Sequence, residues 1–152
     1  MDNLEINTAL QISRSREDVF EAIVEPEKMS NYFISESTGR METGKKLKWR
    51  FPEFKAWFDI EVLETSKPES IRYIWEGAEG KDLTVEIKIE EISENKSLVS
   101  ITEGKMKNDD AGIKWLGQNT AGWANFLACL KAYLEYDINL RKGGFDFMKE
   151  QA

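Results

Sequence analysis

The sequence predicts an α+β fold: an antiparallel sheet covered by one long C-terminal helix. Between residues 33 and 106 apolar side chains recur at every second position, as in half-buried strands. From about residue 111 they recur at every third and fourth position, as along one face of a helix. Two short helix signals directly after the first strand narrow the topology further.

Residues 5–12 read as a strand, with Ile6, Thr8, Leu10 and Ile12 on one face and Asn7, Ala9 and Gln11 on the other. Ser15 is placed to cap a helix, with Asp18 three residues on and Val19, Phe20 and Ile23 as its apolar stripe. Pro26 closes that helix and suits the first turn of a second, expected over residues 27–32. The strands that follow are marked by Leu47, Trp49 and Phe51, then Phe58, Ile60 and Val62, then Ile71, Tyr73 and Trp75. Leu83, Val85, Ile87 and Ile89 mark the next, and Val99 and Ile101 the last. Turn signals separate them at Thr38-Gly39, Thr43-Gly44, Lys67-Pro68-Glu69, Gly77 to Gly80 and Ser93 to Lys96. Short strands in series, each with one apolar and one charged face, describe an antiparallel meander with one solvated side. In the last third, Leu116, Thr120, Trp123, Leu127, Leu130, Leu134 and Ile138 form one helical stripe. Trp115, Asn119, Gly122, Phe126, Cys129 and Tyr133 form an adjacent one. The helix is expected to start near Ala111 or Ile113 and to end with Arg141-Lys142 before Gly143. Its length of roughly 40 Å has no helical partner, so it must lie on the sheet.

Composition limits the chemistry. The chain of 152 residues carries 28 acidic and 21 basic side chains, a formal balance of −7, which argues against a nucleic-acid partner. There is no histidine, which removes Ser-His and Cys-His mechanisms and His-ligated zinc. The single cysteine, Cys129, permits no intrachain disulfide and no thiolate metal cage. Neither a metal nor a cofactor is expected. The longest apolar run, Phe126 to Leu130, is far short of the ~20 residues of a membrane span. The acidic start, Met1 to Glu5, lacks the apolar stretch of a secretory signal, so a cytoplasmic address is the expectation. Five Trp, four Tyr and eight Phe remain as the informative part of the inventory.

Three segments carry a resemblance. Ala9 to Ile23, with Ser15, Glu17, Asp18, Val19, Phe20 and Ala22, resembles the opening strand and P-E-x-V-W-x-A-L helix of the activator of Hsp90 ATPase (Aha1-type) domains, within the Bet v 1-like, START-related (SRPBCC) superfamily. Glu25-Pro26-Glu27-Lys28-Met29 resembles that family's second-helix start, and Gly122-Trp123 with Leu127, Leu130, Leu134 and Glu135 its G-W-x-x-x-L-x-x-L-x-x-x-L-E ending. Phe20 and Tyr32 stand where many members have Trp. The resemblance implies a helix-grip fold, a curved antiparallel sheet wrapped around the C-terminal helix, over residues 1–142, with 143–152 as an extension. It is carried by packing patterns, which identify a fold better than an activity.

That fold implies an apolar cavity between sheet and helix. Parity points Trp49, Phe51, Phe58, Tyr73 and Trp75 from the sheet towards Trp115, Trp123 and Phe126 from the helix. These aromatics either fill the core outright or leave an aromatic-walled pocket for a hydrophobic small molecule or lipid. Glu103 falls on the same face as Val99 and Ile101, where its carboxyl group would orient a ligand or act as a base with a raised pKa. Alternatively, the strand ends at Gly104 and Glu103 is solvated. Cys129 reads as a packing thiol, and the charged stretch Glu86 to Lys96 as the solvated face of a strand. No catalytic residue is expected. The resemblance supplies two other readings, a chaperone-regulating interaction module and, less favoured, a cyclase or hydratase. The extension carries Phe145, Phe147 and Met148, too apolar for a free tail, so it is expected to dock on this chain or across a homodimer.

Overall fold

A computed structural model describes residues 2–149. The first strand signal forms β1 (Asn3–Ile12), which buries Ile6 and Ile12 on the face marked by its alternation. Ser15 caps α1 (Arg16–Val24), its Oγ accepting the Asp18 N–H at 3.2 Å. Pro26 opens α2 (Pro26–Met29), which is shorter than expected because the chain leaves it through turns. Tyr32 thereby drops into the core, where its hydroxyl donates to the Ala22 carbonyl at 2.7 Å.

The meander supplies β2 (Glu36–Ser37), β3 (Lys46–Arg50), β4 (Phe58–Ser66), β5 (Ser70–Ala78), β6 (Lys81–Ser93) and β7 (Lys96–Lys107). With β1 they form one seven-stranded sheet in the order β1-β7-β6-β5-β4-β3-β2, antiparallel throughout. One row across it pairs Tyr73 with Val85, Val85 with Glu103 and Glu103 with Ile6. Two expectations about its ends are corrected. β7 does not stop at Gly104 but continues to Lys107, so Glu103 points inward and is fully buried. β5 runs through Gly77 to Ala78, leaving only Glu79 and Gly80 (φ 70°) for the turn.

The long helix is α3 (Asp110–Tyr136), capped by Asp109, whose Oδ1 accepts the Gly112 N–H at 2.8 Å. It ends before Arg141-Lys142. Asp137 adopts a left-handed conformation (φ 53°), and its N–H donates to the Tyr133 carbonyl at 3.0 Å while that of Ile138 donates to Ala132 at 3.2 Å. Aspartate tolerates that conformation because its short side chain can bond locally. Ile138, expected on the apolar stripe, consequently lies outside the helix and is exposed. The face of α3 laid on the sheet is Trp115, Trp123, Phe126, Leu127, Cys129 and Leu130, all buried. No described helix is long and apolar enough to cross a membrane.

Candidate functional site

Sheet and helix do not meet everywhere. They leave a cavity of about 380 Å³ walled by Phe33, by Phe51, Phe54 and Phe58 around the β3–β4 connection, and by Trp75 of β5. α3 contributes Gly122, Trp123, Phe126 and Cys129, with Asn119, Gln118 and Asn125 as the polar groups of its rim. The rings are held edge to face: Phe33 meets Phe126 with centroids 4.7 Å apart, Phe51 at 5.2 Å, and Trp123 meets Phe126 at 5.3 Å. Such pairs gain from the ring quadrupoles, which favour this edge-to-face arrangement. Gly122 sits at the mid-helix mouth, where a Cβ would find nothing within 4 Å.

Of the sequence candidates, Phe51, Phe58, Trp75, Trp123 and Phe126 line this cavity, while Trp49, Tyr73, Trp115 and Glu103 stand behind its wall. Glu103 organises that second layer. Its Oε2 accepts the Trp75 indole N–H at 2.7 Å, and its Oε1 accepts those of Trp123 at 3.0 Å and the Asn119 amide at 3.3 Å. One buried carboxyl group therefore sets two of the aromatic walls and ties β7 to β5 and α3. Tyr73 lies on the same row, its hydroxyl buried without a hydrogen-bond partner among the described residues, as is the Trp49 indole nitrogen. Burial pushes the Tyr73 hydroxyl well above its ordinary pKa, and the charge of Glu103 adds to that.

Gly77 completes the arrangement. The β5–β6 register shifts there, and the bulge frees its carbonyl to accept the Trp115 indole N–H at 3.1 Å and the Asn119 amide at 2.8 Å. Trp115 and Asn119 lie one helical turn apart, so both reach the same oxygen. A Cβ at Gly77 would collide with Glu103 Oε2, on a carboxyl group that three hydrogen bonds already hold in place.

The remaining wall is the segment after α3. Arg141 donates two parallel hydrogen bonds to Glu53, at 2.8 and 2.9 Å, and its guanidinium lies over the rings of Phe51 (5.6 Å) and Phe145 (4.8 Å). Phe145 and Met148 close the cavity through the 3-10 turn Asp146–Met148, whereas Phe147 points away and is 83% exposed. Over the described residues, the extension meets its own chain through Phe145, which lies under the Arg141 guanidinium. Sequence reasoning missed Phe33, Glu53, Phe54, Gly77 and Asn119 as parts of the site. The signal for one of them, Phe54, was present: the connection from Phe51 to Phe58 is rich in aromatic residues where a polar loop is usual. Cys129, also on the wall, is held as a thiol because burial raises its pKa. Among the described residues no cluster of acidic or thiol groups is arranged to hold a metal.

Comparison with known proteins places this geometry. No curated protein matches the sequence. Among solved structures, protein SSP2350 from Staphylococcus saprophyticus is 33% identical, with a TM-score of 0.80 over 91% of this chain and 96% of that one. The Aha1 dimer from Colwellia psychrerythraea is 20% identical, with a TM-score of 0.73 over 88% of this chain and 97% of that one. The di-domain ARO/CYC BexL from the BE-7585A biosynthetic pathway is 13% identical, with a TM-score of 0.75 over 87% of this chain and 46% of that one. The last two likenesses speak for the fold alone. The sequence model described as Activator of Hsp90 ATPase homolog 1-like protein matches residues 13–135. That match spans the elements from the end of β1 through almost all of α3, and the chain belongs to the Activator of Hsp90 ATPase homolog 1-like family.

Proposed function

We propose that the protein binds a hydrophobic small molecule in the aromatic cavity between the sheet and α3. The observation that carries this is the cavity itself, about 380 Å³ and walled by Phe33, Phe51, Phe58, Trp75, Trp123 and Phe126. Its size falls in the range of small-molecule sites, and a few amides at the rim supply orientation. Trp49, Tyr73, Trp115 and Glu103 act from behind as the layer that holds the walls apart.

Phenylnaphthylamine, a neutral flat aromatic, is a suitable probe: it should quench Trp75 and Trp123 saturably with one site per chain. Gly122→Leu should abolish the binding by filling the mouth, without lowering the melting temperature, since leucine is the better helix former by about 1 kcal/mol. Absence of saturable binding, or binding indifferent to Gly122→Leu, refutes the proposal. The family match favours a second reading, a module that docks on a chaperone. A changed chaperone ATPase rate on adding the purified protein, preserved in Gly122→Leu, would support it.

A further inference from the structure

Beside the apolar cavity lies a second cleft, of about 360 Å³, reached across the Glu53–Arg141 pair. Tyr32, Phe33, Glu53 and Arg141 line both. We propose that the two clefts form one bipartite site for an anionic amphiphile, its flat apolar body against Phe33, Phe51 and Phe126 and its acidic head at Arg141 and Lys142. This rests on the reading of the apolar cavity as a ligand site and adds the chemical class of the ligand.

The charge pattern carries the inference. The second cleft is lined by three cations, Arg141, Lys142 and Lys149, against two anions, Glu53 and Asp146, in a chain whose formal balance is −7. Lys149 is paired with Asp146 at 3.2 Å, and Arg141 with Glu53, so Lys142 is the unbalanced charge, with no ion pair among the described residues. Arg141 is positioned as a receptor. Its side chain is 14% exposed, its plane is fixed by Glu53, and the rings of Phe51 and Phe145 flank it. Glu53 uses two of the five guanidinium N–H groups, and the others have no partner among the described residues. Arg141 lines both clefts, where the aromatic wall gives way to the charged one. An anionic oxygen group attached to a flat apolar body meets a rigid fork there, a geometry in which arginine outperforms lysine.

The test compares two probes with the same body on the full chain, phenylnaphthylamine and anilinonaphthalene sulfonate, which adds only the acidic head. The sulfonate should bind roughly tenfold more tightly than the neutral probe. Lys142→Gln, a surface change confined to the charged cleft, should reduce that ratio several-fold. Arg141→Lys, which keeps the charge beside Glu53 but loses the fork, should reduce it as well. Inorganic phosphate alone should not displace the sulfonate. Equal affinities for the two probes, a ratio untouched by both variants, or displacement by phosphate would overturn the bipartite site while leaving the apolar cavity standing. Failure of both probes to bind would overturn the cavity reading and this inference together.

Discussion

Replacing Glu103 by glutamine tests whether its carboxyl group holds the cavity wall. The side chain is fully buried, and both oxygens are engaged: Oε2 by the Trp75 indole, Oε1 by the Trp123 indole and the Asn119 amide. Glutamine offers one oxygen. If it keeps Trp123 and Asn119, its NH₂ group faces the Trp75 N–H at the 2.7 Å separation now bridged by a hydrogen bond. A buried donor left without an acceptor costs ~1–3 kcal/mol, so a loss of ~2 kcal/mol is expected. For a chain of this size that lowers the melting temperature by ~4–8 °C. Thermal and urea unfolding followed by circular dichroism measure it directly. A cycle with Trp75→Phe isolates the contact. Phenylalanine removes the opposing donor, so the double variant should recover ~1 kcal/mol relative to the sum of the single ones. Glutamine within ~0.5 kcal/mol of the parent, the level of an ordinary surface change, together with an additive cycle, would refute the reasoning.

Three further outcomes follow from the same structure. Leu130 of α3 is completely buried, so Leu130→Ala should cost ~2–5 kcal/mol in urea unfolding through transfer and cavity terms. Gly77→Ala should destabilise by ~1–3 kcal/mol, because the added Cβ meets Glu103 Oε2 and comes within 2.9 Å of Leu83 Cδ1; a stabilised variant would show that β5 is not bulged there. Glu21 is held at a pKa of about 2, down from 4.5, chiefly by its hydrogen bonds from the Arg40 guanidinium, with Lys67 adding to it. A depressed carboxyl pKa stabilises the fold fully above 4.5 and loses that contribution as pH falls towards 2, so Glu21→Gln should flatten the stability profile across that interval, read by denaturation at stepped pH.

Local pattern was enough to determine the element types and most of the orientation. Ser15 and Asp18 fixed the start of α1 because a cap is a contact between near neighbours. Alternation alone aimed Trp49, Tyr73 and Trp75 inward, since a strand's side chains reverse face at every residue whatever surrounds it. It left Glu103 open, because it could not say whether β7 continues past Gly104. The family was legible too, because its signature is the spacing of packing residues along β1, α1 and α3. Parity could not say which inward aromatics fill space and which border a void. That is a question of volume among Phe33, Phe51, Trp75 and Phe126, which come from four different parts of the chain. Nor could it show that Gly77 belongs to a bulge rather than a turn, because the choice depends on what Trp115 and Asn119 require of its carbonyl. The end of α3 was misplaced for a similar reason. Arg141-Lys142 before Gly143 suits a helix terminus locally, yet Glu53, 88 residues away in sequence, claims that arginine for the cavity wall, and Asp137 ends the helix early enough for it to reach.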